Sequence, residues 1–237
     1  ATATIVMALG VQRMAKRNAL VRNLPAVETL GSATVICSDK TGTLTLNQMT
    51  VTHIAVNGDF EAGATTPIAE AAGQHPTVYK ELVYAAALCN DASVDPDHAG
   101  AIIGDPTEGA LIHMAQAFGV DHEALEDAYP RRFEQPFDSD RKRMTTVHVI
   151  SGNWISYTKG AVDEMLPLCT HILTADGVRP ITEGDRANIL RLCLSMSEQA
   201  LRVLGFATRT LTGEQIPAED GGNVEYDMTF IGVTGMI

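Results

Sequence analysis

The chain has 237 residues, a formal net charge of −12, 45% hydrophobic and 19% charged residues. That length holds one large domain or two modest ones, the mixture is that of an ordinary globular protein, and the acidic surplus argues against nucleic acid as the main partner. The charge is uneven: residues 1–27 carry Arg13, Lys16, Arg17 and Arg22 and no acid. Cys37, Cys89, Cys169 and Cys193 are scattered with no C-x-x-C pair. That spacing offers neither a zinc site nor a redox motif, and the thiols read as reduced core residues of a cytosolic environment. No signal-peptide pattern opens the chain.

Residues 1–11 are apolar or small. They are too few to span a bilayer, which needs about 20 residues. They read either as the cut end of a spanning helix, with the following basic residues on its inner side, or as an ordinary amphipathic terminal helix. A helix is expected over 3–20, with Gly10 its weak point, ended or kinked by Pro25. A short turn at 26–31 leads to the apolar run Val35-Ile36-Cys37, read as a buried strand. Residues 47–57 alternate with a period of two, as strands do, and Asn57-Gly58-Asp59 is a turn signal. Residues 61–77 read as a surface loop. A helix over 78–89 would present Val78, Leu82, Ala85, Ala86 and Cys89 on one face.

Residues 90–104 form a second expected loop. Asp105-Pro106-Thr107-Glu108 then opens a helix to about Phe118, with Asp105 as N-cap, Pro106 in the first position and Glu108 closing a capping box. Strands follow at 131–135, 143–150 and 153–159, the last two joined by the hairpin turn Ser151-Gly152. A short helix fits 162–168, then a strand over 171–175 closed by Asp176-Gly177. Thr182-Glu183-Gly184-Asp185 caps a helix to about Gln199, with Ile189, Leu192, Cys193, Met196 and Ala200 on its apolar stripe. A strand at 203–209, a Gly-rich acidic loop at 212–226 and a last strand at 229–233 complete the chain.

Chemistry concentrates first at Asp39, placed just after the apolar run. In open α/β sheets reactions sit where strands end and loops begin, and a carboxylate there is a candidate covalent nucleophile. Gly42 lets the backbone turn sharply toward a phosphate, successive N–H groups in such a loop form an anion nest, and Lys40 adds positive charge. A bare Ser-Asp-Lys would more simply start a turn. The seven residues Asp39-Lys40-Thr41-Gly42-Thr43-Leu44-Thr45, however, resemble the phosphorylation motif of P-type ion-pumping ATPases without a mismatch. The stretch from Met14 to Gly31 resembles the stalk between the fourth membrane helix and the phosphorylation domain of class II pumps.

Four later spots make sense together as an ATP pocket. Phe137 precedes the cations Arg141, Lys142 and Arg143; Lys159-Gly160-Ala161 ends a strand; Arg202 precedes another; Glu108 stands in a helix start. A ring can stack on adenine, a lysine can reach phosphate, Gly160 admits a flat ring close to backbone, and Arg202 can bind phosphate bidentately. Each alone is ordinary. Their order and spacing resemble the nucleotide-binding domain of sarcoplasmic-reticulum-type calcium pumps. That resemblance implies Glu108 on the adenine amino group, Phe137 stacked on the base, Lys142 and Lys159 lining the pocket, and Arg202 on the phosphates. Ser139 departs from the family, which carries a phosphate-binding Arg there; the alternatives are substitution by Arg141 or Arg143, or a lower affinity.

The resemblance also implies an aspartyl-phosphate on Asp39, with Lys40 and Thr41 beside it and Mg²⁺ held by Asp39 and the Thr41 carbonyl. Haloacid-dehalogenase-type phosphatases share the phosphorylation-domain fold and usually carry a second Asp at the position of Thr41. A threonine cannot take a proton at neutral pH as a carboxylate can, so a pump is favoured over a phosphatase. The expected organisation is the end of a membrane helix and its stalk at 1–25, the start of a haloacid-dehalogenase-like Rossmann phosphorylation domain at 26–48, an inserted nucleotide-binding domain at 49–225, and a return to the phosphorylation domain at 226–237. The inserted domain should be an α/β (α+β) body, an antiparallel sheet flanked by helices. The whole would be a cytoplasmic part of a membrane pump for a cation, calcium by resemblance. Its partners would be ATP and the membrane, actuator and remaining phosphorylation parts of the same protein. A stand-alone ATP-binding module and a dehalogenase-type phosphatase or phosphotransferase are the alternatives.

Overall fold

The computed structural model describes residues 2–23, 25–38, 48–56, 58–60, 65–74, 76–95, 102–212 and 222–237. They fall into two units, 1–47 and 48–237. Asp39, Lys40 and Thr41 lie outside the described residues.

In the first unit α1 (Thr2–Ala15) is shorter than its sequence promised. It unwinds into a turn in which Asn18 takes a left-handed φ of 60°, a conformation that Asn tolerates better than most residues. Pro25 does not end that helix. It starts the next one, α2 (Pro25–Gly31), where a turn was expected; a proline suits the first helical position because its missing N–H had no partner there. Val35 and Ile36 are 75% and 88% exposed and lie in no strand. The expected buried strand is therefore absent, because apolar composition alone cannot make a strand without a neighbour to satisfy its N–H and C=O groups. No helix among the described residues is long and apolar enough to cross a membrane.

The second unit is built on a nine-stranded sheet. Its strands are β1 (Val51–Val56), β2 (Thr66–Pro67), β5 (Arg131–Asp138), β6 (Arg143–Ile150), β7 (Asn153–Gly160), β8 (Cys169–Thr174), β9 (Gly177–Pro180), β10 (Arg202–Leu211) and β11 (Met228–Met236). The main order is β2-β1-β11-β10-β7-β6-β5, all antiparallel. β8 joins β11 in parallel and pairs with β9. A separate two-stranded ribbon joins β3 (Ser93–Val94) to β4 (Ile102–Ile103). The hairpin between β6 and β7 turns at Ser151 and Gly152, with φ of 51° and 82°, the positive pair that a two-residue turn needs.

Helices cover both faces. α4 (Pro76–Leu88) and α5 (Pro106–Ala117) pack Leu82, Leu88, Leu111 and Met114 against Ile54, Tyr157, Phe206 and Ile231. On the other face the short α7 (Val162–Met165), a 3-10 turn (Leu166–Leu168) and α8 (Glu183–Glu198) bring Met165, Leu166, Ile189, Leu192 and Met196 onto Ala55, Ala207, Phe230 and Val233. Successive residues of β1 and β10 thus serve opposite cores, as the two-residue period of a strand requires.

Several sequence expectations need correction. The 61–77 loop contains β2 and α3 (Ile68–Gln74). α6 (His122–Ala128) was not foreseen, although Asp121 caps it by accepting from the Ala124 N–H. Ala200 leaves the stripe of α8: it is exposed, past the helix end, with φ of 60°. The last strand, expected to leave the nucleotide-binding domain, is instead central: β11 lies between β1 and β10, so 228–236 belong with this body.

Candidate functional site

A cavity of about 510 Å³ opens where α5 begins and where β5, β7 and β10 start or end. Its lining includes all six pocket residues read from the sequence: Glu108, Phe137, Lys142, Lys159, Gly160 and Arg202. It also includes Asp105, Thr107, Leu111, Ala161, Val203 and Leu204, which sequence reasoning did not assign to a pocket.

Sheet pairing explains the convergence. Gly160 stands opposite Gly205 on β10 and opposite Arg143 on β6. A Cβ on Gly160 would lie 2.5 Å from Arg143 Cβ and 2.5 Å from the Lys142 carbonyl. Gly160 thus has a packing reason of its own, beyond any close approach to a ligand. The turn from Asp138 to Lys142 is held by Asp138 Oδ1, which accepts from the N–H groups of Asp140 and Arg141 at 3.0 and 2.9 Å. Those bonds keep the Asp138 carboxyl below its ordinary range. Lys142 closes the turn at φ 51°, and its carbonyl accepts from the Ala161 N–H at 3.0 Å. The ring of Phe137 at the rim is 64% exposed, an apolar face offered to whatever enters.

The charges are paired inside the cleft and open at its edge. Asp105 caps α5 as expected, accepting from the Thr107 N–H at 2.7 Å. Burial opposes its ionisation, but the Thr107 hydrogen bonds and the Arg202 charge outweigh this and hold the carboxyl low. Glu108 does not close a capping box. Its carboxylate accepts from Lys159 Nζ at 2.5 Å and from the Asp91 N–H at 3.3 Å, so the helix start aims an acceptor into the cavity. Lys142 pairs with Glu164 at 3.0 Å; that contact holds its ammonium pKa above the usual value. Arg202 makes no side-chain hydrogen bond or ion pair among the described residues and stands as an uncommitted cation at the mouth.

The expected stand-ins for the Arg missing at Ser139 are occupied. Glu225, its side chain 1% exposed, accepts from Arg141 Nη1 at 2.6 Å and Arg143 Nε at 2.7 Å. Thr145 Oγ1 donates to the same carboxylate at 2.9 Å. Arg141 also donates to the Pro136 carbonyl and Arg143 to the Arg141 carbonyl. Both guanidiniums therefore brace the turn, and neither lines the cavity. Nothing in the spacing of the sequence marked Glu225, which lies more than 80 residues from its partners.

An exposed ring, an aimed carboxylate and three cations around an apolar floor offer a stacking face, an acceptor and positive charge in one cavity. The volume lies in the range of small-molecule sites, about 300–1,000 Å³. Against known families, the model of the P-type ATPase, cytoplasmic domain N, matches residues 78–237. The chain belongs to that family. Across its whole length it is 45% identical to Calcium-transporting ATPase 1 of Bacillus cereus and 41% identical to a cation-transporting ATPase of Synechocystis sp.. It is 38% identical to a calcium-transporting ATPase of Listeria monocytogenes over 99% of its length. It covers 25%, 28% and 26% of those proteins respectively, so the chain spans about a quarter of the length of the curated relatives it matches.

Proposed function

We propose that this chain is the ATP-binding and phosphorylation-site part of an ATP-driven cation pump, on the cytoplasmic side of its membrane, with calcium as the ion. The assembly around one cavity of six pocket residues from five places in the sequence carries this reading. Adenine stacks on Phe137 and gives its amino hydrogens to Glu108; the phosphates leave past Lys159 toward Lys142 and Arg202. The cation, and calcium in particular, rests on the names of the relatives.

The phosphoryl step is assigned to Asp39. Its carboxylate oxygen bonds the γ-phosphorus while the bond to the β–γ bridging oxygen breaks, releasing ADP. Asp39 and the Thr41 carbonyl are hard oxygen donors of the kind Mg²⁺ takes, and the ion would neutralise charge on the phosphates. Lys40 stands between them in the sequence and would add positive charge. In this reading residues 1–25 are the end of a membrane helix and its stalk, and 26–48 open a phosphorylation domain of haloacid-dehalogenase type. The remaining membrane, actuator and phosphorylation parts of the same protein are its partners.

A pocket with one ring and few uncommitted cations should bind weakly, with Kd of roughly 0.1–1 mM, or about −4 to −5.5 kcal/mol. Titrating ATP into the 237-residue chain should shift the backbone amides of Glu108, Phe137 and Gly160. Shifts confined to other residues would place the nucleotide elsewhere.

A further inference from the structure

Besides Lys159, which lines the cavity, Glu108 is held by groups that do not line it. Asn90, 1% exposed, donates from Nδ2 to the carbonyls of Ala86 and Glu108, each at 3.1 Å. Its Oδ1 accepts from the Ala92 N–H at 2.9 Å. One amide thus ties the end of α4, the first turn of α5 and the loop between them. That loop supplies the Asp91 N–H on which the second oxygen of Glu108 rests. Arg131, at the start of β5, clamps the same loop: it donates to the Asn90 carbonyl at 2.5 Å and to Asp91 Oδ1 at 2.7 Å. Glu134 fixes the guanidinium in turn at 2.8 Å. Neither Asn90 nor Arg131 lines the cavity.

We infer that Asn90 and Arg131 are positioning residues for base recognition: they set the direction of the Glu108 carboxylate and thereby the preference for a purine bearing an exocyclic amine over one bearing a carbonyl. The inference rests on the nucleotide-binding reading of the cavity. A carboxylate held at two oxygens can accept from an amino group and repels a carbonyl oxygen at the same place. Released from the Asp91 N–H and from the Asn90 tether, it keeps only the Lys159 contact and can pivot about that ammonium, and a pivoted acceptor no longer separates the two bases. Stacking on Phe137 and the phosphate contacts do not depend on this network, so they should survive its loss.

The test is calorimetric titration of the 237-residue chain with ATP and with inosine triphosphate, which differ in that exocyclic group and in the proton that the neighbouring ring nitrogen N1 carries beside the carbonyl. The native chain should prefer ATP by about tenfold, the worth of one charge-assisted hydrogen bond. Glu108→Ala should abolish the preference. Asn90→Ala and Arg131→Met should each cut it to threefold or less, with inosine triphosphate affinity changed less than twofold. The ratio is read per folded molecule, and Arg131→Met leaves the buried amide in place should Asn90→Ala fail to fold. If both variants keep the full preference while Glu108→Ala loses it, the positioning role is wrong and the pocket reading stands. Parallel loss of both affinities with the ratio intact would make the network merely structural and also overturn the inference. A native chain without preference, or a Glu108→Ala chain that retains it, overturns the base-recognition reading itself.

Discussion

At the scale of single residues, Phe137 and Lys142 offer opposite kinds of contact. Phe137 presents an exposed ring with no ring or cation partner among the described residues, whereas Lys142 already holds Glu164. A phosphate must compete with that carboxylate in solvent, where salt screens both attractions. Stacking is little affected by ions and is worth about 1–3 kcal/mol per base. Phe137→Ala should therefore weaken ATP binding more than Lys142→Ala at high salt. Calorimetry at two salt concentrations checks this, and a larger loss for the lysine variant at high salt would remove Phe137 as the main anchor.

His148 gives a residue-scale prediction for stability. Burial lowers its pKa below the ordinary 6.5; Nδ1 faces the Tyr129 carbonyl at 2.7 Å and Nε2 the Thr146 hydroxyl at 2.9 Å. The unfolded chain therefore takes up a proton first as pH falls. This contribution to stability is full above pH 6.5 and is lost progressively below it, by up to about 1.4 kcal/mol per pH unit. Urea unfolding at pH 7.5 and 5.5 should show a smaller drop for His148→Gln than for the native chain. An equal drop would mean that the ring titrates alike in both states.

At the scale of elements, the Glu225 clamp joins the segment before β11 to the turn after β5. Removing one partner of a buried ionic cluster leaves the others desolvated, at a cost of about 3 kcal/mol or more. Glu225→Ala should lower the unfolding free energy by that amount in chemical denaturation, whereas exposed Glu183→Ala should change it by less than about 1 kcal/mol. The same elements show what a sequence discloses. β6, β7 and α8 were legible because their signals are local: a Ser-Gly turn, and a threonine and aspartate three apart that form a true capping box. The seven-residue helices α2, α3 and α6 were missed, each too short to show a repeat. The strand read at Val35–Cys37 failed because a strand is a property of a pair. The polar members of the pocket could be found by type and spacing. Leu111, Val203 and Leu204 could not, since only the pairing of β7 with β10 and the seating of α5 bring them to one wall. Glu108 lines the cavity with them, but it does not make the cap bond read for it.

At the scale of the whole molecule, the chain holds the proposed nucleophile and the pocket but only about a quarter of the relatives' length. Charge stabilisation in the transition state is usually the largest catalytic term, roughly 3–4 kcal/mol for each lost donor. A chain without the rest of that machinery should lose many decades in rate. Incubation with γ-labelled ATP and Mg²⁺, followed by an acid quench, should give hydroxylamine-sensitive label on the full-length protein, none on its Asp39→Asn variant and none on the 237-residue chain. Label that persists in the full-length Asp39→Asn variant would overturn the nucleophile; efficient labelling of the short chain would show that it already carries the whole phosphoryl-transfer machinery.

The body of residues 48–237 begins and ends at one place. Thr50 and Ile237 exchange both backbone hydrogen bonds, at 2.8 and 3.0 Å, and the antiparallel ladder of β1 and β11 starts directly beyond them. Tension applied across those two points would act on the ladder as on a zipper, loading one rung at a time, whereas tension along the strands would load all rungs together. The sheet is therefore weakest against being parted at its own mouth and stiff in the other directions.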